Sequence, residues 1–215
     1  MYKVTSKDIS KNYLSSLITP DAVIVDIGSY DGKDAAELAE VCNSVVHCLE
    51  PLNFELIKDR QDDRLIIFPY AIGCFNGNIL MNKSTNHSQS SSLKTPKLHK
   101  KIFPEVIYDD KVMVKVTTLD DWWWSVFQGT TIDLIWCDIN GSESDMILTG
   151  IQALKNTRYL YIEYCETELF SKSLNREQLQ KCLPWFETIG DYNFKGNFGN
   201  LLMRNKKLYA ASQTV

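Results

Sequence analysis

The stretch VIVDIGSYDGKD, residues 23–34, constrains this chain more than any other. Its apolar run has no polar alternation and ends on Asp26 and Ile27, then Gly28 and Gly32 bracket a turn before a helical pattern begins at Lys33. A continuous apolar run suits a strand buried on both faces, the kind found in parallel sheets. The same rhythm repeats downstream. Residues 44–49 and 65–70 read as strands, with helices over 33–41 and from 54 to 58. Strand and helix in alternation predict an α/β fold with a parallel sheet.

A different texture follows. Residues 79–81 and 111–117 read as strands of an insertion spanning about 75–118, joined by a polar stretch (NKSTNHSQSSS, 82–92) that reads as a mobile loop. Asp120 and Asp121 are placed to cap a helix through Phe127. The α/β rhythm then resumes with a strand at 132–138, one helix over 142–154 and a strand at 159–164. Asn175 and Gln178 form a capping-box pattern before a helix that Pro184 ends. Residues 186–192 and 200–204 close the chain as an antiparallel pair expected at the sheet edge. The apolar spacing of Ile9, Tyr13, Leu14 and Leu17 predicts a helical arm within residues 1–20, and residues 209–215 read as a tail. A single domain covers 21–208.

The chemistry of the first turn narrows the ligand. A phosphate loop needs four residues between its glycines and Ser or Thr after the lysine; here three residues separate Gly28 from Gly32, and Asp34 follows Lys33. The dinucleotide fingerprint needs a glycine where Tyr30 stands, so that backbone can touch the pyrophosphate, and Asp31 adds negative charge. A phosphate-free cofactor with a cationic sulfonium and an amino-acid end tolerates that turn better. S-adenosyl-L-methionine has those properties. Asp26, Gly28, Ser29, Tyr30, Asp31 and Gly32 are its candidate binding residues. Glu50, 24 positions after Asp26 at the end of the second strand, is placed to accept from ribose hydroxyls. The competing interpretation makes Asp26 and Glu50 surface carboxylates at strand ends.

Charge and composition remove other classes. A net charge of -4 argues against a nucleic-acid partner. The one basic cluster, KTPKLHKK at 94–101, reads as a solvated loop. Six scattered cysteines and three histidines lack zinc-ligand spacing. No apolar run approaches membrane-spanning length, and the first residues carry no apolar leader, so a cytoplasmic protein with no membrane partner is expected.

Eight blocks in order, VIVDIGSYDG, HCLEP, PYAIG, SSSL, VTTLDDW, IDLIWCDINGSE, YIE and GNLLMR, resemble the FkbM family of methyltransferases from about residue 22 to 204. The resemblance implies a class I methyltransferase (Rossmann-like) fold: a seven-stranded, mostly parallel sheet, helices on both faces and an antiparallel last strand. It implies O-methylation of a hydroxyl on a sugar, polysaccharide or secondary metabolite. It also implies that Pro51, Leu52, Ala71 and Ile72 clamp the adenine ring and that Ser91 contributes to the cofactor site. Two positions depart from the family pattern. Trp136 stands where a lysine is usual, and Asn140 where an acid or glutamine is common.

Ligands of open α/β sheets bind beyond the carboxyl ends of the strands, where Asp138 and Glu163 fall. Asp138 is the leading candidate for base or acceptor orienter, with Glu163 and Glu143 behind it; Asp138 also faces the cofactor. Glu143 is equally suited to complement the start of its helix. These carboxylates raise the possibility of Mg²⁺, which is not the favoured reading. The insertion with His87 and residues 90–92, and residues 165–173 with Phe170, are candidate lids. Of Trp122, Trp123 and Trp124, at least one belongs in the core and one at the surface. An NAD(P)-dependent oxidoreductase and a non-catalytic binding module are the alternatives.

Overall fold

A computed structural model describes residues 3–5, 9–193 and 197–212. The strands are β1 (Lys3–Thr5), β2 (Ile24–Ile27), β3 (Val46–Leu49), β4 (Leu65–Phe68), β5 (Ala71–Ile72), β6 (Gly77–Lys83), β7 (Asp110–Thr117), β8 (Ile132–Cys137), β9 (Thr157–Cys165), β10 (Phe186–Asn193) and β11 (Phe198–Asn205). The helices are α1 (Lys11–Ser15), α2 (Lys33–Cys42), α3 (Phe54–Lys58), α4 (His99–Ile102), α5 (Leu119–Phe127), α6 (Glu143–Thr149), α7 (Ile151–Lys155), α8 (Arg176–Cys182) and α9 (Lys206–Ser212), with a 3₁₀ turn at Ser88–Ser90.

The main sheet runs β1-β10-β11-β9-β8-β2-β3-β4. Seven of these strands form the sheet expected from the sequence, and β11 is antiparallel to both neighbours. The eighth, β1, adds parallel to β10. The final pair therefore does not lie at the edge as expected. β1 occupies the outer side of β10 and β11 lies between β10 and β9; Leu201, Leu202 and Met203, buried in succession, mark β11 as covered on both faces. The helix expected near the N-terminus is confined to Lys11–Ser15; residues 1–2 and 6–8, part of that expectation, lie outside the described residues, as does the tail beyond 212.

Alternate residues of the central strands feed two apolar layers, because side chains of a strand point to opposite faces. Val25, Ile27, Ile135, Leu160 and Ile162 pack with α5, α6, α7 and α8. Ile24, Leu134, Trp136, Tyr159 and Tyr161 pack with α1 and α2 on the other side. Trp122 and Trp123 are buried and Trp124 is exposed.

Two local expectations change. The single helix over 142–154 breaks at Gly150, where a Cβ would lie 2.5 Å from Leu119 Cδ2; α5 presses on that point. The cap of α5 is Thr118, which accepts from the Asp121 amide at 3.2 Å. Asp120 instead caps α7, accepting from the Ala153 amide at 2.8 Å. The capping box at Asn175 and Gln178 is present as read.

The insertion forms a second sheet, β5-β7-β6, over a small core of Ala71, Met81, Val114 and Val116. Its polar stretch is folded, not an open loop. Asn82 and Ser92 exchange backbone hydrogen bonds of 2.9 and 3.0 Å, and the buried Ser91 Oγ accepts from the Ser84 amide at 3.1 Å. Polar residues can be buried when their groups are paired. The segments expected as lids are joined: the Lys97 amide donates to the Leu169 carbonyl at 2.8 Å and the Ser171 amide to the Thr95 carbonyl at 2.9 Å.

Candidate active site

Beyond the carboxyl ends of β2, β3 and β8 lies a cavity of about 370 Å³. The first turn forms its floor. Gly28 adopts φ +91°, Tyr30 φ +48° and Gly32 φ +73°, and the Gly28 amide donates to the Leu49 carbonyl at 2.9 Å. The sequence suggests that Gly28 makes room for a cofactor. Its bare α-carbon instead faces the chain: a Cβ would fall 1.9 Å from the Asp138 carbonyl oxygen. Gly32 is not on the cavity wall; a Cβ there would meet Ile57 of α3.

Glu50 is buried and organises two turns at once. Its Oε2 accepts from the Tyr30 amide at 3.0 Å, and its Oε1 from the Leu52 and Asn53 amides at 2.7 and 2.9 Å. Burial raises its pKa while these amides pull it back. Asp26 has less support. Its Oδ2 is buried without a hydrogen-bond partner, and burial lifts the carboxyl pKa to about 8. The carbonyl of Asp26 holds Ser29 Oγ at 2.9 Å.

Asp26, Asp31, Asp34, Glu50 and Asp138 all line this cavity, and among the described residues no lysine or arginine does. Pro51, Leu52, Ala71 and Ile72 line it as well, joined by Met81 and Leu93, which the sequence did not single out. Ser91 closes it from the insertion. Asn140, at φ +50°, ties that closure down: its Nδ2 donates to the Gln89 carbonyl at 2.8 Å, and its carbonyl accepts from Ser92 Oγ at 2.6 Å. Trp136, the other departure from the family pattern, packs on Tyr161 with ring centroids 4.2 Å apart, under the Lys11 ammonium at 5.3 Å.

Glu163 and Glu143 line a second cavity of about 160 Å³, which shares Asn140 with the first. Asp138 and Glu163 are hydrogen-bonded to each other across the divide. Burial raises both; Asp138 stands at about 6 and Glu163 well above the carboxylate range, further raised by the charge of Asp138. A hydrogen bond between two carboxyl groups needs a proton, and the stronger upward push on Glu163 makes it the holder. Glu143 is engaged differently: its Oε1 accepts from the Gly141 and Ile139 amides at 3.2 and 3.3 Å, and burial lifts it to about 7. Among the described residues no group of three or more His, Cys, Asp or Glu side chains is arranged to hold a metal ion.

The small cavity is walled by His99, Phe103, Phe170 and Phe198. Phe170 reaches it because residue 141 is glycine at φ +91°, where a Cβ would sit 2.6 Å from Phe170 Cβ. His99 is the residue the sequence concealed. The basic run at 94–101 is not the solvated loop expected: His99 is buried, and Lys94 pairs with Asp145 at 2.7 Å with both side chains largely covered. One histidine among lysines carries no local signal of a pocket. His87, a candidate from the sequence, is exposed and lines neither cavity.

The profile of the methyltransferase FkbM domain matches residues 26–203. The chain belongs to the FkbM methyltransferase family. It is an S-adenosylmethionine-dependent methyltransferase of that family, and a curated relative, the 2-O-methyltransferase NoeI of Sinorhizobium fredii, is 34% identical over 95% of this chain and 88% of its own. The fold also resembles the fibrillarin/Nop5p complex structure (TM-score 0.53, 10% identity, 87% of this chain and 74% of that one). A further likeness is the N-terminal domain of EvdMO1 solved in the presence of SAH and D-fucose (TM-score 0.52, 9% identity, 91% and 81%). At these identities the structural matches bear on the class I methyltransferase fold. Among the described residues no helix is long and apolar enough to cross a membrane.

Proposed function

We propose that this protein transfers a methyl group from S-adenosylmethionine to a hydroxyl of a sugar, with the cofactor in the larger cavity and the acceptor in the smaller. The observation that carries the cofactor's place is the carboxylate lining with Asp26 Oδ2 unpartnered. A buried polar atom without a partner is costly, and an ammonium group supplies one, drawing the Asp26 carboxyl into its ionised form when the cofactor binds. A polyphosphate meets Asp31, Asp34, Glu50 and Asp138 there and, among the described residues, no cationic side chain, which argues against NAD(P).

Glu50 has about four lone-pair sites when ionised. Three are taken by backbone amides and the fourth is reached by the Asn53 side chain, so a ribose hydroxyl would take the place of Asn53 there. Pro51, Leu52, Ala71 and Ile72, with Met81 and Leu93, offer apolar walls to an adenine ring. The bound sulfonium supplies an activated methyl group. The chain is left to orient the acceptor, exclude water and receive the hydroxyl proton. Asp138 is suited to receive it, being ionised near neutral pH while Glu163 keeps its proton and donates a hydrogen bond. Glu143 acts through the loop it holds, as a positioning residue. The sugar acceptor is taken from the named activity of the relative, a 2-O-methyltransferase. Six free cysteines suit a reducing compartment, the cytoplasm.

Calorimetric titration with S-adenosylhomocysteine and with NAD tests this reading. Micromolar binding of the first and none of the second is expected, with methyl transfer to one or more members of a panel of methyl glycosides. Tight NAD binding without S-adenosylhomocysteine binding sinks it.

A further inference from the structure

His99 makes a hydrogen-bond chain that links the two cavities. Tyr108 Oη donates to the Ser90 carbonyl at 2.9 Å and lies 3.1 Å from His99 Nδ1. A carbonyl only accepts, so the single phenolic proton is committed to Ser90. The Tyr108 oxygen must then accept, and His99 Nδ1 must carry the proton. Nε2 is left with its lone pair. Burial lowers the pKa of His99, which keeps the ring neutral and Nε2 an acceptor. The charge of Glu105 pushes the other way and does not outweigh burial.

The ring is held edge and face by Tyr108, Phe103 and Phe170, with centroids 5.4, 4.9 and 4.9 Å away. It forms part of the wall that Glu163 completes. Aromatic faces opposite a few polar groups suit a small ring with apolar C–H faces and polar edges. Ser90 lies on the wall of the larger cavity, so the cofactor side fixes the tautomer presented on the other.

We propose that His99 is an acceptor-binding residue whose Nε2 accepts a hydrogen bond from a second hydroxyl of the ring being methylated. The acceptor is thereby a polyhydroxylated ring and not a simple alcohol or phenol. This rests on reading the smaller cavity as the acceptor side.

Nitrogen-15 NMR of the histidine-labelled protein with S-adenosylhomocysteine tests it, His99→Phe supplying the assignment. The expected tautomer carries its proton on Nδ1. Titration with methyl α-D-glucopyranoside, methyl α-D-mannopyranoside and methyl α-L-fucopyranoside is expected to move the Nε2 resonance with at least one, and not with one of its monodeoxy analogues. In turnover, His99→Phe is expected to raise the acceptor KM about tenfold, the loss typical of one hydrogen bond, with S-adenosylhomocysteine affinity unchanged. His99→Gln, which keeps an acceptor atom at that reach, is expected to restore most of the loss. A proton on Nε2 overturns the proposal, as does S-adenosylhomocysteine binding with no glycoside reaching His99. If S-adenosylhomocysteine itself fails to bind, the methyltransferase assignment of the cavities falls and the proposal falls with it.

Discussion

Gly28 and Asp138 meet so closely that a side-chain carbon on residue 28 would stand 1.9 Å from the Asp138 carbonyl oxygen. The end of β2 and the end of β8 are thus held together by the absence of a side chain. Gly28→Ala is expected to fail twice, through its positive φ, which costs about 1–2 kcal/mol for a non-glycine residue, and through that overlap. Thermal unfolding is expected to drop by roughly 5 °C or more, with S-adenosylhomocysteine affinity at least about tenfold weaker. An unchanged melting temperature and affinity would show that the contact does not organise the site.

Glu50 joins the first and second turns through Tyr30, Leu52 and Asn53. Glu50→Gln keeps the shape but turns an amide toward at least one backbone N–H, donor against donor. A loss of about tenfold or more in S-adenosylhomocysteine affinity is expected, measured by titration calorimetry. Wild-type affinity in this variant rules out the bridging role.

The catalytic pH profile reads the Asp138–Glu163 pair. Asp138 at about 6 must be ionised to receive a proton, so kcat is expected to rise with pH through about 6 and level off above it. Asp138→Asn is expected to lower kcat by about a hundredfold or more, leaving S-adenosylhomocysteine affinity within a few fold. A profile that falls across that range contradicts the assignment.

Stability carries the opposite slope. Asp26 and Glu143 are held at about 8 and 7, above their ordinary values. The folded chain keeps these protons where the unfolded chain has lost them. Their contribution is complete below the unfolded values and is lost as pH rises through about 7 and 8. Melting of the ligand-free protein is therefore expected to weaken between pH 5.5 and 8.5, and Asp26→Asn to flatten the upper part of that slope. Parallel slopes in variant and wild type remove Asp26 from the account.

Glu143 spends its Oε1 on the Ile139 and Gly141 amides. Prolonged EDTA treatment is accordingly expected to leave methyl transfer intact. Loss of activity that only Mg²⁺ restores refutes this.

Local order in the sequence carried far. The buried runs at β2, β8 and β9, the turn Gly28–Gly32 and the capping box at Asn175 each contain their own cause within a few residues, so each was legible. Misreadings arose where the cause lies far along the chain. Thr118 and Asp120 exchange capping duties because α7 packs beside α5, and the helix over 142–154 breaks because Leu119 presses on Gly150. The stretch 82–92 read as a mobile loop because its polarity was visible and the partners of Ser84, Ser91 and Ser92 were not.

The sequence by itself determined the alternating fold, the acidic first turn and the unsuitability of that turn for phosphate, since periodicity and side-chain charge are local properties. Only the tertiary structure decided that Asp138 and Glu163 share a proton, that Glu50 serves two turns, and that His99 leaves a lysine-rich run to wall a cavity with Phe170. Those outcomes depend on burial and on pairings between residues tens of positions apart, and desolvation acts only once the chain has closed around them.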